Sequence, residues 1–183
     1  MKIFLMIFTA ISLLLLSGCS SEKKQSNDKN TSASKEEIKN EPITLKDING
    51  QEIIVKSTAK GFTFSGYENK VVLVNFFATW CPPCKAEIPH LINLQEKYKD
   101  KFAIISILLE ENKSNEEIAN FIKYNAINYT ITNSAENYKF AKSVGGVNNI
   151  PLMFLYDKEG NYSTHYVGAI PEEMIDADIK KVL

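Results

Sequence analysis

The run VVLVNFF, Val71 to Phe77, most limits what this chain can become, because none of its seven positions is charged and six are aliphatic or aromatic. A strand with one wet face alternates apolar and polar residues, whereas a continuous apolar run must be covered on both sides. The run therefore predicts a central strand in a layered α/β domain. A second such run, AIISILL from Ala103 to Leu109, predicts a neighbouring strand. Cys81 to Tyr98 reads as the helix between them. Asn115 to Tyr124 reads as another, with Ile118, Phe121 and Ile122 on one side. Strand and helix alternate, the mark of a parallel core.

The flanks carry different signals. Ile43-Thr44-Leu45 and Glu52-Ile53-Ile54-Val55 enclose Asp47-Ile48-Asn49-Gly50, and Asn-Gly between apolar segments predicts a hairpin. After Ile150-Pro151, the segments LMFLYD and YSTHYVG flank Lys158-Glu159-Gly160-Asn161, predicting a second, antiparallel hairpin. Pro171-Glu172-Glu173 opens a last helix, with proline and acids where a helix N-terminus favours them. No internal repeat is visible.

The head of the chain is of another kind. Lys2 precedes the apolar run IFLMIFTAISLLLL, the layout of a secretory signal and too short for a comfortable membrane span. It ends in Leu16-Ser17-Gly18-Cys19, which resembles the bacterial lipobox. Residues 1–18 are therefore expected to be a lipoprotein signal, with Cys19 acylated and inserted in the bilayer. The alternative is an ordinary cleaved signal with an incidental cysteine. Ser20 to Glu41, SSEKKQSNDKNTSASKEEIKNE, has too little apolar surface to order itself and reads as a flexible tether. Residues 42–183 then form one domain, and the location is extracytoplasmic.

With 44% hydrophobic and 23% charged residues among 183, the chain can bury a proper core without disulfide staples. Its net charge of -1, with no basic cluster interleaved with aromatics, excludes the footprint of a nucleic-acid binder. The three cysteines separate into Cys19 and the pair Cys81 and Cys84.

Trp80-Cys81-Pro82-Pro83-Cys84 lies where a buried strand ends and a helix begins. Cysteines three apart on a helix share a face and can bridge. The free N–H groups of a helix start favour a thiolate, so Cys81, expected in the first turn, is the nucleophile and Cys84 the resolver. Three other readings compete with this one. A structural disulfide closing so small a ring constrains the unfolded chain weakly. A zinc site could draw on Cys81, Cys84, His90 and His165, but no glycine-bearing knuckle surrounds the pair and His165 is far along the chain. A chance CxxC is opposed by its surroundings. No metal and no cofactor beyond the Cys81–Cys84 couple is expected.

Val72 to Pro89, VLVNFFATWCPPCKAEIP, closely resembles the active-site region of the TlpA-like thioredoxin family, which includes the ResA-type and CcmG-type reductases of cytochrome c maturation. The likeness extends to Gly146-Val147, Ile150-Pro151, Phe154-Leu155-Tyr156-Asp157, Gly160 and Gly168, from about Pro42 to the C-terminus. It implies a thioredoxin fold: a central mixed sheet flanked by helices, here with an N-terminal β-hairpin extension. It also implies a cis Pro151 facing the cysteines, whose exposed backbone edge, with Ile150, would pair with a substrate strand. Trp80, Pro82 and Pro83 complete that docking surface, although Trp80 could instead be core. Phe76 and Phe77 read as core.

Thioredoxin has an aspartate where this chain has Asn75, and an amide cannot accept the resolving thiol's proton. Glu87, three residues after Cys84, is the candidate replacement, and the resemblance places the family's active-site glutamate there. The competing reading is a solvated helix acid. Pro89 is expected to kink the helix, and His90 and His165 read as surface and structural residues.

Pro82 and Pro83 carry no charge and no N–H, so they cannot hold a thiolate, and the helix start alone is worth about 0.3–1 kcal/mol. A reductase is therefore favoured. In an oxidising compartment it must be recharged, which implies a membrane reductant of the DsbD or CcdA type. The family's usual client is the CxxCH segment of an apocytochrome c. The alternatives are a general disulfide reductase or oxidase, and a non-enzymatic binding module on the same fold.

Overall fold

A computed structural model describes residues 41–183. The lipobox cysteine Cys19 and nearly all of the expected tether lie outside the described residues.

Five strands form the central sheet in the order β6-β5-β4-β7-β8. The two uncharged runs occupy its middle as β4 (Val71–Phe77) and β5 (Phe102–Leu108), paired in parallel and buried at every position. β7 (Leu152–Tyr156) runs antiparallel on the other side of β4, and β8 (Tyr162–Val167) is antiparallel to β7. β6 (Thr130–Thr132) is parallel to β5 at the other edge. This is a mixed sheet flanked by helices, the thioredoxin fold expected from the resemblance.

The alternation of side chains along β4 explains why both faces need cover. Val72, Val74 and Phe76 point to one side, where they pack with Phe140 of α3 (Glu136–Ser143) and with the N-terminal strands. Val71, Leu73 and Phe77 point to the other. There they meet α1 (Pro82–Tyr98), α2 (Asn115–Tyr124) and α4 (Glu172–Val182) through Leu91, Leu94, Ile118, Ile175 and Ile179. α2 opens with a capping box, Ser114 and Glu117 each satisfying the other's backbone N–H.

The expected N-terminal hairpin is present as β1 (Ile43–Lys46) and β2 (Glu52–Ser57), but it extends to a third strand, β3 (Phe62–Phe64). The turn is also wider than Asn49-Gly50 alone. Asp47 closes a five-residue loop by accepting the N–H groups of Asn49 and Gln51 at 2.8 Å each, and Gly50 takes the left-handed φ of 82°. The small sheet lies over the Phe140 side of the core, where Leu45, Ile53, Val55 and Phe64 are buried.

Candidate active site

β4 delivers the chain to a tight turn, Ala78 to Cys81, closed by the Cys81 N–H on the Ala78 carbonyl at 3.2 Å. Cys81 is the N-cap of α1 and not, as expected from its spacing, a residue of the first turn. The physical reason is Pro82: a residue before proline is driven out of the α region, and Cys81 is extended, with φ -79° and ψ 112°. The cap position has a chemical consequence. The Cys81 Sγ accepts the Cys84 N–H at 3.3 Å, while the Lys85 N–H reaches the Cys81 carbonyl at 3.1 Å. Pro82 and Pro83 contribute no N–H, so the amide of Cys84 is the first donor that α1 offers to the sulfur.

The two cysteines form a disulfide, their Cα atoms 5.3 Å apart. Both are buried, packed among Phe77, Ala78, Ile88, Leu108 and Ile118. The Ile150–Pro151 peptide is cis, and the Ile150 carbonyl oxygen lies 3.8 Å from the Cys81 Sγ. Gly168 at the end of β8 donates its N–H to the Pro151 carbonyl at 2.9 Å, fixing that loop from behind. Trp80 is 63% exposed beside the disulfide, so it is not core, and Pro82 and Pro83 are exposed with it. Phe76 and Phe77 are buried.

Glu87 is not a solvated acid. One turn beyond Cys84 on α1, it is 2% exposed. Its Oε1 accepts the Ile170 N–H at 2.9 Å, and its Oε2 has no partner among the described residues. Burial pushes its carboxyl up from 4.5 to about 7, against the lowering pull of the Ile170 amide and of the His90 charge. It borders a cleft of about 370 Å³ between α1 and the start of α4, lined also by Ala86, His90, Ala169 and Pro171. Tyr129 is close enough that the Glu87 charge adds to burial in raising its phenol.

Asn75 is buried on the α1 face of β4. Its Nδ2 donates to the Ser106 hydroxyl at 3.2 Å, and its Oδ1 has no partner among the described residues. His90 is exposed and bonds Glu172 at 3.2 Å, joining α1 to α4. His165 is stacked on Phe154 and hydrogen-bonded to Tyr162. The four residues of the zinc alternative thus do not converge, and among the described residues no group of three or more such ligands could hold a metal. Pro89 sits inside α1, which runs on to Tyr98.

Sequence reasoning missed one residue that touches the site. Glu110 accepts both the N–H and the hydroxyl of Thr79, at 3.0 and 2.6 Å, inside the turn that leads to Cys81. The 31-residue offset between β4 and β5 was the signal that could have found it.

A mixed thioredoxin-type sheet with a CxxC disulfide capping its first long helix defines a thiol–disulfide oxidoreductase. Comparison with known proteins agrees in class. The Redoxin family pattern matches residues 26–183, and the chain belongs to that family. It is similar to the thiol-disulfide oxidoreductase ResA of Bacillus thuringiensis (strain Al Hakam), at 29% identity over 182 residues, covering 97% of this chain and 96% of that protein. It is also similar to the thioredoxin-like protein YneN of Bacillus subtilis (strain 168), at 28% identity over 141 residues, covering 74% and 76% of the two chains. Among solved structures, a thiol:disulfide interchange protein of the thioredoxin family from Chlorobium tepidum TLS superimposes with a TM-score of 0.60 at 26% identity, covering 77% of this chain and 92% of that one.

Proposed function

We propose that this protein is a membrane-anchored, extracytoplasmic reductase of protein disulfides. The observation that carries the reading is the sparse support for a thiolate at Cys81: two prolines remove the first amide donors of α1, leaving the Cys84 N–H at 3.3 Å. A weakly held thiolate makes the dithiol the less stable form and the pair reducing.

In the forward direction the Cys81 thiolate attacks a client disulfide. One client thiolate leaves, and a mixed disulfide remains on Cys81. Cys84 then gives up its proton, attacks the Cys81 sulfur and expels the second client thiolate. Two electrons pass to the client, and the Cys81–Cys84 disulfide is left. Glu87 is the acceptor for the Cys84 proton. Its burial, its free Oε2 and a carboxyl near 7 suit a group that must be ionised part of the time at neutral pH. The client lies as an added strand along Ile150 and Pro151, against Trp80 and the two exposed prolines.

The lipobox sequence Leu16-Ser17-Gly18-Cys19 supports anchorage through Cys19. A lipid-held reductant outside the cytoplasm requires electrons from a membrane partner of the DsbD or CcdA type. The CxxCH segment of an apocytochrome c is the client that the sequence resemblance favours.

The test is equilibration with glutathione together with trapping by Cys84→Ser. The potential should fall near the value of thioredoxin, about −270 mV, and far from the strongly oxidising value of about −120 mV. Trapped partners should be proteins that arrive oxidised. A potential at the oxidising end, or trapped clients that arrive reduced, reverses the direction of electron flow.

A further inference from the structure

Glu110 lies two residues past β5, and the β4–β5 register explains what it does there. The parallel ladder runs from Val71 against Phe102 to Phe77 against Leu108, and the Leu109 N–H still reaches the Phe77 carbonyl at 2.8 Å. Carried two residues further, the same offset of 31 places Glu110 opposite Thr79. The side chain takes over where the backbone pairing stops. Its Oε2 accepts the Thr79 N–H at 3.0 Å and the Thr79 hydroxyl at 2.6 Å. Thr79 is the second residue of the turn closed by Cys81 on Ala78, so this carboxylate holds the turn that presents the sulfur.

The charge matters as well as the grip. The Glu110 side chain is 13% exposed, and its one ion-pair partner among the described residues, Lys113, stands 3.6 Å from Oε1 and is shared with Glu117. Glu111 and Tyr138 share this corner: burial raises the Tyr138 phenol, and Glu111 and Glu110 add to it. A partly dehydrated carboxylate is screened less than a surface one, and the Thr79 that it grips is two residues from Cys81. The first turn of α1 contains no acid of its own.

We propose that Glu110 is a positioning residue of the dithiol site: its grip on Thr79 fixes the turn that presents Cys81, and its charge disfavours the Cys81 thiolate, which keeps the pair reducing. The proposal rests on the dithiol-exchange reading above and adds a residue outside the CxxC helix to it.

Glu110→Gln keeps an oxygen acceptor for both Thr79 donors and removes the charge. The pH dependence of Cys81 alkylation, measured in a Cys84→Ser background, should move down by about half a pH unit or more. With both cysteines present, the glutathione equilibrium at alkaline pH should shift at least about threefold toward the reduced protein, about 14 mV at 29.6 mV per tenfold. Lys113→Met strips the countercharge while leaving the Thr79 contacts, and both readouts should move the opposite way. A folded Glu110→Gln protein with unchanged alkylation profile and equilibrium overturns the proposal, as does a Lys113→Met shift of the same sign. If Glu110→Gln does not fold, the sign of the Lys113→Met shift alone decides. A wild type that never exchanges with glutathione sinks the dithiol reading instead, and the alkylation profiles still judge Glu110.

Discussion

Glu87→Gln should flatten the pH dependence of folding stability. In the folded chain the Glu87 carboxyl is raised from 4.5 to about 7 by burial, so between those values the folded state holds a proton that the unfolded state has released. The associated stability is fully present below about 4.5 and is lost as the pH rises through about 7. At about 1.4 kcal/mol per pH unit of displacement, the full loss is on the order of 3 kcal/mol. With the side chain only 2% exposed, solvent screening removes little of it. Urea unfolding of the oxidised protein, its disulfide kept closed so that no thiol titrates, measures this at pH near 5 and near 8. The wild-type midpoint should fall between the two by roughly 1–2 M more than that of the variant. Absolute stabilities are the poorer readout, because the glutamine amide inherits the place of the unpartnered Oε2. Other titrating groups cancel when the two pH differences are compared. Parallel pH profiles for the two proteins would refute the account of Glu87 as a buried carboxyl that ionises at a cost to the fold.

Three further outcomes are expected. Glu87→Gln should lengthen the life of the mixed disulfide on Cys81 more than it slows the initial attack, as read by quenched trapping; an unchanged lifetime removes Glu87 from proton transfer. Phe140→Ala should destabilise the domain by about 3–5 kcal/mol in urea melts, since this fully buried ring meets Phe62, Phe64 and Phe76 at one point of the core. Metabolic labelling with a fatty-acid analogue should mark the wild type and miss Cys19→Ala, with equal labelling counting against lipid anchorage.

The elements legible in the sequence are those whose burial is uniform or strictly periodic. β4 and β5 are buried at every position, and α1, α2, α4 and the β7–β8 hairpin carry proline, cap or turn signals at their ends. β3 and β6 escape a sequence reading because each is three residues long, too short for an alternating pattern to show. α3, ENYKFAKS, was missed because its face is read from Phe140 and Ala141 alone, while its third inward residue is polar. That residue, Asn137, is 1% exposed and donates to the carbonyls of Leu108 and Thr132, tying α3 to the ends of β5 and β6. At the site, the CxxC spacing sufficed to pair Cys81 with Cys84. The depth of Glu87 could not be read, because it depends on Ile170, 83 residues away, and helical spacing gives a face but not what covers it.

The hydrogen bond from the Cys84 amide to the Cys81 sulfur bears on how long a client stays attached. It keeps Cys84, the resolving residue of the proposed mechanism, beside the Cys81 sulfur, with Pro82 and Pro83 stiffening the backbone between them. Reactive groups so arranged compete with outside thiols at an effective concentration that reaches about 10⁵–10⁸ M in well-oriented cases, far above any thiol in solution. On the exchange mechanism proposed above, release of the client is an internal event, insensitive to how much free thiol the surroundings contain. An enzyme built this way can work in a compartment that is poor in small reductants, because each encounter carries its own exit.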